Sequence, residues 1–412
     1  MFLDILKRRN SALLEATIQL HQRGEIPANC YAIDLDAVLR NATAIAKEAS
    51  RLGLKAFAMT KQVGRNRDVS RVLIEAGITH SVGVDLECAI AAAAGGLRCG
   101  NLGHLVQIPR HQASTAAALK PLYWTVFNQV KAEEAAAASR LNGRNQDLLA
   151  RIIGPGDIFY RGHEGGFDAD DIVAVANSLD ALDGARFAGI TTFPATIFDR
   201  SLGTVVNTPN LETLRKAASR LKAAGRPDIE INAPGTTSTA MLERLADAGA
   251  TQVEPGHGLT GTTPWHAFED LVEDPAIAYV SEISHIWNNE AYVFGGGLYV
   301  DPVLPGAETS AIVVIDRDLG IAGAPTMTVD MPAPEAIDYY CTIPIGDKRN
   351  IAVGNTVIFG FRPQVFVSRG HTAGISGLST GAPKVEGIWA ANGSAPFSLG
   401  DAVSTLQSPN GR

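Results

Sequence analysis

Cysteine is scarce in this chain: Cys30, Cys88, Cys99 and Cys341 are the only four in 412 residues, and no two lie close in sequence. That spacing excludes a disulfide framework and a cysteine-built zinc site, and it fits a reducing cytoplasm. The nine histidines form no HxxxH or HxH pair, so spacing indicates no metal site. Basic residues are outnumbered, 35 Lys and Arg against 43 Asp and Glu, and the net charge of -8 argues against a nucleic-acid partner. Long apolar runs are missing too: none approaches the roughly 20 residues of a membrane-spanning helix. The opening segment MFLDILKRRNSALLEATIQLHQRGEIP has no signal-peptide core. Its apolar and charged residues alternate at helical spacing, which predicts an amphipathic helix packed on the body.

What the sequence does contain is a repeat. Between residues 54 and 256 a short apolar run alternates with an alanine-rich amphipathic stretch. The runs are LKAFAMT (54–60), ITHSVGV (78–84), LGHLVQIP (102–109), LYWTVFN (122–128), LLARIIG (148–154), FAGITTFP (187–194), DIEINAP (228–234) and ATQVEPG (250–256). Eight such units predict an α/β fold, a (β/α)8 TIM-type barrel. A doubly wound open sheet is the alternative, but no GxGxxG opens the first unit. Beyond residue 275, runs such as IAYVSEISHIW, AYVFGGGLYV, NTVIFGF and PQVFVSR alternate with period two and predict a C-terminal antiparallel β domain. The expected organisation is a helical extension over 1–29, a barrel over 30–275 and a β domain over 276–412, with a strand at 30–36 joining the β domain.

Barrel active sites lie at the C-terminal ends of the strands, and phosphate groups often sit in the loops after strands seven and eight. Strand one runs into AMTKQVG, which puts Lys61 at that rim. Strand seven runs into NAPGTTSTA, where Thr236, Thr237, Ser238 and Thr239 open a predicted helix. Helix-terminal N–H groups and hydroxyls together make a phosphate cup, although a simple N-cap needs only one hydroxyl. Strand eight ends in VEPGHGLTG, where Gly256 and Gly258 permit close backbone approach and Glu254 points a carboxylate at the mouth. An amine, a phosphate cup and an acid on one rim are what pyridoxal 5'-phosphate requires.

YAIDLDAVLRN (31–41), AMTKQVG (58–64), GTTSTA (235–240) and EPGHGLTG (254–261) together resemble the fold-type III pyridoxal-phosphate enzymes. This is the alanine racemase N-terminal-domain family, with the ornithine and diaminopimelate decarboxylases, and the match is closer to its YhfX-like branch. The resemblance implies that Lys61 is the Schiff-base lysine, and that Thr236, Thr237, Ser238, Gly256 and the backbone N–H of His257 hold the phosphate. It further implies that Glu254 partners the pyridine nitrogen. Racemases carry arginine where this chain has Glu254, whereas the decarboxylases carry Glu-Pro-Gly there. The racemase GYADGY segment has only FGGGLY (294–299) as counterpart, with Gly295 in place of tyrosine, and Thr192 replaces a racemase histidine. The HEGG segment (163–166) lacks the arginine that racemases place near the cofactor oxygen, so no role is assigned to it.

Remaining candidates are weighed against ordinary packing. Tyr339 and Tyr340, beside Cys341, are candidate acid/base residues that would act in a partner's site; two tyrosines on alternate faces of a strand are the plain alternative. His285 and Tyr292 are weaker candidates for that role. His104 could reach the ring or substrate, or be a satisfied core histidine. The connections between barrel strands look too short to form a lid, which leaves the β domain as cover. Built from both chain ends, that domain should lie to one side of its own barrel and cover a partner's, which predicts a homodimer with shared sites. The functional expectation is a cytoplasmic pyridoxal-phosphate enzyme acting at the α-carbon of an amino acid, a racemase or epimerase. A decarboxylase or lyase is the alternative that Glu254 favours, and a cofactor-binding regulatory protein is the alternative of another class.

Overall fold

The computed structural model describes residues 1–299, 309–318, 320–333, 335–347 and 350–396. Eight parallel strands form the barrel: Lys55–Ala56, His80–Gly83, Arg98–Leu102, Tyr123–Val126, Gln146–Ile153, Ala185–Thr191, Glu230–Asn232 and Gln252–Val253. Strand eight pairs with strand one through Gln252 opposite Lys55 and Val253 opposite Ala56. The remaining seam, between strands one and two, is closed just past strand one. There the Ala58 N–H donates to His80 O and the Val82 N–H donates to Ala58 O, both at 2.9 Å.

Period two is legible along strand five. Leu148, Ala150 and Ile152 pack into the large core with the surrounding helices, whereas Leu149 belongs to a separate cluster with Phe57, Val82 and Tyr123. Odd positions of this strand therefore face the barrel interior. The helices begin where short polar side chains cap them: Asp34 accepts from the Ala37 N–H, Asn66 from Val69, Asp85 from Cys88 and Asn128 from Lys131.

Three sequence expectations about strands and their connections need correction. The third strand is Arg98–Leu102 and not 102–109. Its RCGNL sequence reads like a turn because Gly100 and Asn101 serve the interior: a Cβ at Gly100 would stand 2.6 Å from the Phe57 ring. The connections are not uniformly short, since residues 154–166 follow strand five and a hairpin, Thr196–Asp199 with Thr204–Asn207, follows strand six. The segment PQVFVSR is not a strand but a loop with a 3-10 turn at Val365–Val367.

The second sheet is mostly antiparallel. Strand Cys30–Asp34 lies inside it, antiparallel to Ile277–Trp287 and parallel to His371–Ser376. The N-terminal segment forms two helices, Phe2–Arg9 and Ser11–Gln22, where one was expected. Asn10 separates them: its Oδ1 caps the second helix at the Leu13 N–H, and its Nδ2 donates to Asp34 Oδ2 at 2.8 Å and Pro275 O at 2.9 Å. One buried side chain thus joins the helical hairpin, the sheet strand and the segment leaving the barrel. Replacing Asn10 with Ala should cost about 2 kcal/mol, because a cap is lost and buried Asp34 and Pro275 groups lose a donor. Urea unfolding checks this; a midpoint unchanged from that of the parent would refute it.

Candidate active site

At the C-terminal mouth of the barrel lies a cavity of about 480 Å³. Lys61, His104, Thr236, Thr237, Glu254, Gly256 and His257 all border it, so most residues singled out in the sequence converge there. Lys61 opens a 3-10 turn, Lys61–Val63, that ends on Gly64 in the left-handed conformation (φ 61°). Its Nζ lies 4.8 Å from the centre of the Phe366 ring, which comes from the corrected loop above the mouth. Tyr299, Arg362, Gln364 and Val367 of the second sheet's domain also border the cavity. That domain therefore covers part of its own barrel mouth, contrary to the expectation that it lies only to one side.

Glu254 is 5% exposed and stands on an interior polar network. Its Oε1 accepts from Asn101 Nδ2 at 3.0 Å and Asn232 Nδ2 at 3.1 Å. Asn101 Oδ1 in turn accepts from Thr125, and Asn232 Oδ1 from Thr191. Oε2 has no hydrogen-bond partner among the described residues. Burial pushes the carboxyl up to about 7, with the two asparagines opposing the rise. His104 Nε2 approaches Oε2 to 3.4 Å. Burial, and then the charges of Arg151 and Lys61, keep this imidazole neutral, so the approach is not an ion pair. Neither His104 nitrogen has a hydrogen-bond partner, and its ring packs edge-on against Phe193.

The strand-seven and strand-eight loops touch backbone to backbone. A Cβ at Gly258 would lie 2.5 Å from Thr237 O, one at Gly256 2.6 Å from Gln62 Nε2, and one at Gly235 2.5 Å from Thr196 Oγ1. Ser238 occupies the N-cap of helix Thr239–Asp247 but does not cap it. Glu273 does so instead, accepting from the Thr239 N–H at 2.6 Å and Oγ1 at 2.8 Å. The buried Ser238 hydroxyl is left without a partner. His257 bonds Thr262 Oγ1 through Nδ1 at 3.1 Å, its Nε2 has no partner, and burial holds it neutral.

Tyr339 and Tyr340 do not border this cavity. Tyr340 packs against His285, Tyr292 and Phe294 on an open sheet face, and Tyr339 lies under the Arg369 guanidinium. Other residues take places that sequence reading left empty. His163, from the HEGG segment given no role, borders the cavity, as do Tyr160 and Arg161 just before that segment. Arg151 is fully buried on the interior face of strand five, where it donates to His163 O, Gly165 O and Phe193 O. Its Nη1 has no partner, and burial lowers it only to about 10, so it remains cationic. An arginine inside the run LLARIIG, at an interior-facing position, was the available signal. Tyr299 and Phe366 gave none, because only the tertiary fold brings them to the mouth.

Comparison with known proteins identifies the family and supports the fold. Residues 33–264 match the model of the alanine racemase N-terminal domain, and residues 278–385 match the YhfX-like C-terminal domain. The chain is 36% identical over 387 residues to the uncharacterized protein YhfX of Escherichia coli strain K12, covering 94% of this chain and 97% of that one. Among solved structures it is similar to D-threonine aldolase from Filomicrobium marinum, with TM-score 0.65 and 14% identity over 89% of this chain and 96% of that one. It is also similar to alanine racemase of Clostridium difficile 630 in complex with cycloserine, with TM-score 0.60 and 15% identity over 89% and 99% of the two chains. The protein belongs to the alanine racemase N-terminal-domain family and carries the YhfX-like C-terminal domain.

Proposed function

We propose that this protein is a pyridoxal-phosphate enzyme acting at the α-carbon of an amino acid, of the racemase or epimerase type. The observation that carries the reading is Glu254 Oε2, a buried acceptor without a partner on the cavity that Lys61 also borders. A ring N–H is the kind of donor this oxygen lacks. The loops at Gly235 and Gly256–Gly258 leave no room for a Cβ, and the Ser238 hydroxyl is unpaired, as a phosphate cradle requires. The residues present fit the cofactor.

When bound, the cofactor supplies an electron sink for charge developing at the substrate α-carbon. Asn101 and Asn232 fix Glu254 through Oε1 and leave Oε2 as the atom that would accept from the ring nitrogen. Thr236, Thr237, Gly256 and His257, on the cavity, and Ser238 beside them would hold the phosphate. Lys61 Nζ holds the cofactor and moves the α-proton on its own face, with Phe366 limiting its travel. Phe366, Val367 and the 154–166 segment reduce access of water to the reacting carbon. A decarboxylase or lyase is the second reading, favoured by the carboxylate of Glu254 where racemases carry a cation.

Inversion also needs a base on the opposite face. We assign it to Tyr340 of a partner subunit in a homodimer, with Tyr339 alongside. The open aromatic face supports this: Tyr339 is 61% exposed, Trp287 62%, and Tyr340 and Phe294 are both near 40%.

Borohydride reduction of the loaded protein should leave the pyridoxyl group on Lys61 when peptides are weighed; recovery on Lys55 or Lys131 would overturn the assignment. Burial also makes Glu254 a source of pH-dependent stability. Its folded value of about 7 exceeds the ordinary 4.5, so its contribution is full below about 4.5 and disappears as pH rises through about 7. Unfolding of the cofactor-free protein between about pH 5 and 8 should show a loss of about 3 kcal/mol that Glu254→Gln removes. An equally steep profile in the variant would show that other groups cause it. Finally, mixing inactive Lys61→Ala and Tyr340→Ala proteins should restore up to about one quarter of parent activity, since half the dimers are mixed and one of their two sites is intact. A monomer in sedimentation, or subunit exchange without recovery, would remove Tyr340 from the partner's site.

A further inference from the structure

Among the described residues bordering the cavity, Glu254 is the only carboxylate, and Lys61, Arg161 and Arg362 are the cationic side chains. The two arginines sit apart. The charge of Arg362 reaches His257, which puts it on the phosphate-cup side. Arg161 lies on the connection after strand five, and strand five stands opposite strand one, which carries Lys61, in the ring of eight. Arg161 is exposed and joins no ion pair among the described residues. The nearby carboxylate, Glu164, does not border the cavity and accepts the Gly162 N–H at 2.7 Å.

Beside Arg161 stands an aromatic wall. His163 lies 5.8 Å from Tyr160 and 5.7 Å from Phe193 between ring centres, and Tyr160 lies 5.8 Å from Phe193. His163 Nδ1 is buried and has no hydrogen-bond partner. Burial and the charges of Lys61 and Arg151 keep the ring neutral, so one of its nitrogens can donate a hydrogen bond without adding charge. This wall offers an apolar path that ends in a guanidinium and an imidazole, neither of which has a side-chain hydrogen bond among the described residues.

We propose that the Tyr160–His163–Phe193 wall and Arg161 form a subsite for a second acidic group, so that the substrate is an amino acid whose side chain ends in a carboxylate or a phosphate. Arg161 pairs with the anion in a fork geometry and His163 donates to it. This rests on the reading of Lys61 and Glu254 as the cofactor site. Because Arg161 is exposed, solvent moderates the charge contribution, and the preference is tens rather than thousands.

The test titrates the cofactor-loaded protein with both enantiomers of aspartate, glutamate, asparagine, glutamine and phosphoserine. Each Kd is taken from the change in visible absorption. The better enantiomer of an acidic amino acid should bind about tenfold or more tightly than its amide. Phosphoserine against aspartate and glutamate tells which anion is taken. Arg161→Gln should shrink the acid-to-amide ratio to below about threefold. Equal binding of acids and amides, in a protein that does respond to amino acids, would overturn the subsite and leave the cofactor reading standing. An Arg161→Gln effect equal on acids and amides would also overturn it, assigning Arg161 to the α-carboxylate instead. A protein that never gains visible absorption with pyridoxal phosphate would overturn the cofactor reading, and the subsite with it.

Discussion

Two asparagine side chains, from strands three and seven, hold one oxygen of Glu254 inside the barrel and leave the other without a partner. Much of the mouth is arranged around that asymmetry. A carboxyl so buried is costly to ionise, and the two amides make it tolerable in one orientation only. The same amides are themselves fixed by Thr125 and Thr191, so residues from five strands share one hydrogen-bonded layer. Above it, the interior has no ordinary packing left to offer, and His104, Ser238 and Arg151 each carry buried polar atoms with nothing to bond. Such a concentration of unmet polar groups at one end of a barrel is destabilising unless something else meets them.

Positive potential at the mouth comes from residues of different origin. Arg151 is locked to backbone carbonyls below the opening, Lys61 rides on a short turn, and Arg362 arrives from the second sheet's domain. Desolvation first, and then the charges of Arg151 and Lys61, depress both His104 and His163, while Arg362 acts with desolvation on His257. The imidazoles around the cavity thus stay neutral at ordinary pH and are able to give or take a hydrogen bond without changing the charge balance.

Much of the barrel was legible because its signal is local. Apolar runs separated by capped amphipathic stretches need only neighbouring residues to be read, and Lys61, Thr236, Thr237, Glu254 and Gly256 follow from their places at strand ends. The third strand escaped because its interior side chains are Gly100 and Asn101, chosen for close approach and hydrogen bonding and not for hydrophobicity. Arg151 was hidden by the opposite effect, a charge inside an apolar run whose alternate positions face inward. Tyr299, Phe366 and the His163 wall were illegible because their meaning lies in contacts between distant segments, which no periodicity encodes. Asn10 is similar: an ordinary polar residue within one expected helix, it is a three-way joint in space.

Strand Cys30–Asp34 is flanked by Ile277–Trp287 on one side and His371–Ser376 on the other. As the chain leaves the ribosome, this early segment has to wait through the synthesis of all eight barrel strands before either neighbour exists. The barrel, with its local units, can close in the interval, while an apolar pentapeptide stays without edge partners. The helical hairpin of residues 2–22 emerges just before it and, through Asn10 and Asp34, is already positioned to shield it. In the folded protein these helices pack on the Cys30 and Ala32 face of a strand whose partners are made last, and a ribosome stalled before residue 277 would release a chain in which both edges of that strand are unpaired.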